Sequence, residues 1–261
     1  MTLIISNYNY IPVELSTIIT ELGGTIYDQS DNIETQKALR QKFSGCYTKS
    51  PHTGHNLSDY CNYIIENYHD LPTVIRFIKG NIYPRHFEST NFFDLIRRNI
   101  YLPLYNKPET SNNLKYCGNL GSNLYYEIND PWYMQTKPAR YFSSYDDFMS
   151  FMFTDYQPQK FVVFNPGACQ IVLREQVTRY PLQFWKNIKH IVSYRFFPAE
   201  AYILERAFFS LFTGSYNLSQ NAKTNLISSG NLESRTVKVM ANIKHYHSTQ
   251  ERVKRKFGFT K

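Results

Sequence analysis

Three groups of residues combine type and spacing in ways that could do chemistry. The first is Pro198–Thr213, a helix-length run that is apolar on nearly every side, in which Glu205 has Ala201, Tyr202, Phe208, Phe209 and Phe212 as its helical neighbours. A carboxylate in that setting must find a donor or keep its proton to higher pH, and both conditions recur where a general base is needed. A structural ion pair is the competing reading. The second group is Lys79, Arg85 and His86, which follow the apolar run Val74–Ile78. Cations at the carboxyl end of a strand suit a diphosphate, and a solvated basic loop is the plainer alternative. The third is the Tyr and Trp residues between 125 and 133, whose rings suit the face of a sugar.

Other chemistries lack their signatures. The sequence holds no G-x-G-x-x-G, no G-x-x-x-x-G-K-[ST], no H-E-x-x-H and no Asp-x-Asp or Asp-x-Glu pair. His52-x-x-His55 with Cys46 nearby offers three zinc ligands and no fourth, and reads better as a polar loop. Cys46, Cys61, Cys117 and Cys169 are far apart, which fits free thiols in a reducing compartment better than a disulfide scaffold.

The elements that position these groups follow from periodicity. A strand over 3–8, a helix over about 13–22 bounded by Pro12 and Gly23-Gly24, and a strand at Thr25–Tyr27 make a β-α-β opening. A helix over 57–68 and a strand at Val74–Ile78 follow, then a helix around 89–99. The stretch 103–140 carries Pro103, Pro108, Pro131 and Pro138 with little periodicity, and reads as a long functional or mobile loop. Beyond it come a helix near 144–154, strands at 161–164 and about 169–173, and helices near 175–193 and 198–213. This order predicts an α/β fold with one Rossmann-like, mainly parallel sheet covered on both faces. Ligands then sit beyond the carboxyl ends of the strands, at Ser6–Asn9, Asp28–Asp31 and Lys79–His86.

A chain of 261 residues, 42% of them hydrophobic, buries a substantial core, and 22 Tyr with 19 Phe make it aromatic-rich. The net charge of +8 is concentrated after Lys238, where seven basic residues face only Glu251. The expected organisation is therefore a domain over 1–232 and a basic tail over 233–261, the tail suiting an anionic membrane surface more than specific nucleic acid. Without a signal peptide or an apolar run long enough to span a bilayer, the sequence predicts a cytoplasmic protein, with peripheral membrane contact through the tail.

Two segments carry a resemblance. His55–Pro72, with its Tyr-x-x-x-Ile-x-x-Asn-Tyr-x-x-Leu-Pro pattern ahead of the strand Val74–Ile78, and Pro166–Glu175, with the later Pro181-x-x-Phe184-Trp185 and Leu204–Phe208, resemble an uncharacterised family of fungal, bacterial and viral proteins. With Ile4–Asn9, the likeness spans about 3–213. That family looks like nucleotide-sugar glycosyltransferases with a GT-A-like fold. The resemblance implies that Ser6, Asn7 and Tyr8 lie near the nucleotide base, that Asp28 faces it, and that Lys79, Gly80 and Asn81 stand where many such enzymes carry a metal-binding acidic pair. With that pair absent, a divalent metal (Mn2+ or Mg2+) stays open.

On this reading Lys79, Arg85 and His86 hold the diphosphate of a nucleotide-sugar donor. Glu205 is the leading base toward a glycan or glycoconjugate acceptor, with Asp130 or Asp146-Asp147 in reserve. A non-catalytic glycan-binding or assembly protein on the same fold, and more remotely a nucleic-acid-binding protein, are the alternatives.

Overall fold

The computed structural model describes residues 2–107, 117–121 and 123–236. The strands are β1 (Thr2–Asn7), β2 (Gly24–Asp28), β3 (Tyr47–Lys49), β4 (Val74–Lys79), β5 (Leu102–Pro103), β6 (Cys117–Gly121), β7 (Leu124–Ile128), β8 (Phe161–Phe164) and β9 (Gln170–Leu173). Six of them form a mixed, mostly parallel sheet in the order β3-β2-β1-β4-β9-β5. β3, β2, β1 and β4 run parallel, whereas β9 enters antiparallel to both β4 and β5. Because β2 lies on one side of β1 and β4 on the other, the chain changes winding direction at β1, which opens a crevice above the carboxyl ends of β1 and β4.

The longer helices are α1 (Ser16–Leu22), α2 (Ile33–Lys42) and α3 (His55–Asn67), then, after the single turns α4 (Ile82–Arg85) and α5 (Phe92–Leu95), α6 (Tyr145–Met152). They are followed by α7 (Arg174–Thr178), α8 (Leu182–Val192), α9 (Ala199–Thr213) and α10 (Gln220–Lys223). Strand alternation divides the apolar side chains between two cores. Ile4, Ile75 and Phe77 face Leu57 and Tyr60 of α3, Trp185 of α8 and Phe208 of α9. Leu3, Ile5 and Ile78 face Ile18 of α1, Leu39 of α2 and Phe92 of α5. Side-chain caps set three helix starts, with Asn32 accepting from the Thr35 N–H, Ser144 from the Asp147 N–H and Ser219 from the Ala222 N–H.

Several sequence expectations are revised. The stretch 103–140 holds the hairpin β6-β7, and this joins β8 in a second, three-stranded antiparallel sheet that the single-sheet expectation lacked. Its strands are short and half exposed, so they show no strong apolar alternation. The helix expected over 175–193 is two helices, because Pro181 cannot continue α7. The helix expected around 89–99 shrinks to α5.

Arg206 ties the second sheet to α9. Buried at 3% exposure, it donates from Nε to Glu127 Oε1 of β7 at 2.5 Å and lies over the rings of Tyr133 and Phe164. Past residue 232, Arg235 still packs on the domain, donating to the Tyr141 carbonyl and to Asp147. The basic run from Lys238 onward lies outside the described residues. Among the described residues no helix is long and apolar enough to cross a membrane.

Candidate functional site

A cleft with an accessible volume of about 160 Å³ opens at the winding change. β1 supplies Ser6, Asn7 and Tyr8, the residue after β2 supplies Gln29, and β4 with its turn supplies Lys79, Gly80, Asn81 and Arg85. The first turn of α3 adds His55 and Asn56, and the segment before α9 adds Phe196 and Phe197. Lys79 and Arg85 make no ion pair with a described carboxylate. Together with the N-terminal end of a thirteen-residue helix, they give the cleft a positive field.

The local backbone explains how α3 reaches the cleft. Gly54 holds φ +66°, its N–H donates to the Arg195 carbonyl at 2.7 Å, and a Cβ there would stand 2.5 Å from Ser58 Cβ. Only glycine fits this entry without strain. Gly80 meets a different limit, since a Cβ on it would collide with Asn7 Oδ1. Asn7 is itself fixed by donation from Nδ2 to the Tyr10 carbonyl at 2.9 Å and to Asp28 Oδ1 at 3.3 Å.

Beneath the floor lie two wholly buried carboxylates. Asp28 accepts from the Ser30 N–H, the Ser30 hydroxyl and the Tyr47 hydroxyl, and Lys49 Nζ stands 3.8 Å away. Asp59, on the second turn of α3, accepts from the hydroxyls of Ser6 and Ser50 and has no cation of the described residues in ion-pair contact with it. Burial raises its pKa to about 7, against the opposing pull of those hydroxyls. The imidazoles move the other way. Burial, reinforced by the positive charge of Lys79, drives His55 and His86 down to about 3, so both are neutral near pH 7.

An aromatic rim closes the mouth. Phe196 stacks on His52 with centroids 3.8 Å apart and lies 4.6 Å from Tyr8, while Phe197 stacks on His55 at 4.5 Å. His52 and Tyr8 are anchored in turn, His52 Nδ1 to the Gln29 carbonyl at 2.7 Å and the Tyr8 hydroxyl to Asp31 at 3.1 Å. His52 and His55, weighed as metal ligands in the sequence, therefore serve as ring partners. Among the described residues no group of three or more His, Cys, Asp or Glu side chains is placed to hold a metal.

Of the residues expected at the nucleotide, Ser6, Asn7, Tyr8, Lys79, Gly80, Asn81 and Arg85 line one cleft. Asp28 lies below the floor, and His86 packs behind, with its ring 3.5 Å from the position of a Gly167 Cβ. Glu205 is half-buried on α9, outside the lining, within electrostatic reach of Tyr202 and Cys169 and without a hydrogen bond or ion pair to a described residue. The fully buried carboxylate of α9 is Glu200, whose Oε1 accepts the N–H groups of Arg140, Tyr141 and Phe142 and whose Oε2 accepts the Tyr194 hydroxyl. Burial raises its pKa against those bonds. Asp130 is exposed beyond β7. Asp146 accepts from Asn129 and Tyr156, and Asp147 pairs with Arg235.

Sequence reading gave His55 and Asn56 no role at the nucleotide and did not single out Asp59, Phe196 or Phe197, whereas Gln29 falls within the Asp28–Asp31 strand end that it named. Asp59 had a signal, a carboxylate on a helix whose neighbours Tyr60 and Cys61 are apolar and fully buried. The two phenylalanines had none, because they reach the cleft from far along the chain. Comparison with family models, curated proteins and solved structures returns no match for the chain.

Proposed function

We propose that the chain is a nucleotide-sugar-dependent glycosyltransferase of Rossmann-like, GT-A-like architecture, with the donor in this cleft. The observation that carries the reading is the convergence, at the winding change of the sheet, of two unpaired cations and a helix N-terminus with a polar floor and an aromatic rim. Cations and helix N–H groups are complementary to a diphosphate, and aromatic rings to a base or sugar. In transfer, the bond between the sugar's anomeric carbon and the diphosphate oxygen breaks. The diphosphate leaves with the electron pair and is stabilised by Lys79, Arg85 and α3, while the acceptor oxygen bonds the anomeric carbon. Its proton goes to Glu205, which is half-buried on α9 outside the cleft lining and whose carboxylate makes no hydrogen bond or ion pair with a described residue.

The residues do not fit the divalent cation that such a fold often carries. Lys79, Gly80 and Asn81 stand where the acidic pair is expected; Asp28 and Asp59 are wholly buried and engaged below the floor, and Asp31 at the rim is taken up by the Tyr8 hydroxyl and the Asn9 amide. Accordingly, no step runs through a metal.

One observation favours the non-catalytic glycan-binding alternative: among the described residues no carboxylate lines the cleft itself. Turnover separates the two readings. Glu205→Gln is expected to keep the thermal stability and nucleotide response of the parent and to lower single-turnover transfer by about 10² or more. Normal transfer in that variant removes Glu205 from the mechanism, and no transfer or hydrolysis of any nucleotide sugar by the parent chain favours the binding module.

A further inference from the structure

The rim of the cleft continues onto a surface outside the donor site. Phe197 stacks on Tyr202 of α9 with centroids 4.8 Å apart, and Tyr202 meets Trp132 edge-on at 5.3 Å. Trp132 is 42% exposed, whereas Trp185, the chain's other tryptophan, is wholly buried. One cation stands on this path and two more lie close to it. Lys137 Nζ lies 4.7 Å from the Phe197 centroid, the Arg140 guanidinium 5.8 Å from that of Tyr194, and Arg195 directly precedes the two phenylalanines of the rim.

None of these three cations has a described carboxylate within ion-pair distance. Glu200, the carboxylate bonded to the Arg140 N–H, is wholly buried and spends its oxygens on backbone N–H groups and Tyr194. Uncompensated cations beside exposed ring surface, continuous with the cleft, are complementary to a ligand that brings both anionic groups and C–H faces.

We propose that the path from Phe197 across Tyr202 to Trp132, flanked by Lys137, Arg140 and Arg195, is the acceptor subsite and takes a saccharide bearing anionic groups. The proposal rests on the glycosyl-transfer reading of the adjoining cleft. Trp132 and the ring edges receive the sugar's C–H surface, and the three cations receive its carboxylates or phosphates. Half-buried Glu205 lies one helical turn from Tyr202, where an acceptor hydroxyl would meet the donor.

The full-length protein supplies its own probe, since a saccharide binding here must perturb Trp132 and cannot reach Trp185. Fluorescence is titrated with an oligogalacturonate, a phosphomannan fragment, a neutral malto-oligosaccharide and an oligouridylate. The expected result is a saturable change with at least one acidic saccharide, with the neutral sugar weaker by about tenfold or more. Raising the salt and the double variant Lys137→Ala/Arg140→Ala should each weaken the acidic saccharide by about tenfold, without altering the melting shift given by nucleoside diphosphates. Equal binding of the neutral sugar, no response to either acidic saccharide, or tighter binding of the oligouridylate overturns the proposal. A saccharide response without any nucleotide response defeats the donor reading and leaves the subsite standing, and the reverse pattern defeats the subsite alone.

Discussion

Asp59 does not behave as an ordinary carboxylate. Its folded pKa of about 7 lies above an unfolded value of about 3.9, so the folded state holds a proton that the unfolded chain gives up. The stability linked to that proton is complete below about pH 4 and is lost as pH rises through 7, to the extent of ~4 kcal/mol. Asp59→Asn keeps the size, accepts from one serine and donates to the other. Chemical denaturation across pH 4–8 should show the variant gaining stability relative to the parent as pH rises. A constant difference over that range would mean that Asp59 is ionised throughout.

Lys79 and Arg85 carry the field of the cleft, and their replacement by Ala should weaken nucleoside diphosphate binding by about 1–3 kcal/mol each, since bonds to ionised groups are the strong ones. Calorimetric titration checks this, and unchanged affinity would move the anion site elsewhere. These two residues were legible in the sequence because a cation after a buried strand is conspicuous. Glu205 was conspicuous for the same reason, yet the structure leaves it half-buried and gives the full burial to Glu200, five residues earlier. Both sit among apolar neighbours, and only the fold of 138–142 onto the start of α9 decides which carboxylate receives backbone donors.

At the scale of elements, the β-α-β opening and β4 were legible because buried parallel strands are continuous apolar runs. The hairpin β6-β7 was not, because Asn, Gly and Tyr residues facing both ways give it no period of two. The entry to α3 depends on Gly54, which holds a left-handed backbone there. Gly54→Ala should destabilise the fold by about 1–2 kcal/mol from the left-handed backbone alone, with more from the contact with Ser58. It should also weaken nucleotide binding by displacing His55 and Asn56. A variant of parental melting temperature and affinity would show that α3 does not depend on this glycine.

The whole molecule joins a nearly neutral body to a strongly basic C-terminal run. Removal of residues 238–261 takes away most of the net charge and leaves every residue of the cleft in place. The truncated chain should keep its nucleotide response and lose affinity for anionic vesicles, measured by co-sedimentation. A folded truncation without nucleotide response would place part of the site in that run.

The central claim is that the crevice above β1 and β4 is a nucleoside diphosphate site, and the most direct measurement is the melting temperature of the parent and of Lys79→Ala/Arg85→Ala with UDP, GDP, ADP and CDP. Because a ligand that binds only the folded state stabilises it by RT ln(1 + [L]/Kd), a concentration-dependent rise with at least one diphosphate is predicted in the parent and its loss in a double variant that still folds. No rise in the parent with any of the four at millimolar concentration, or an equal rise in both proteins, would contradict it.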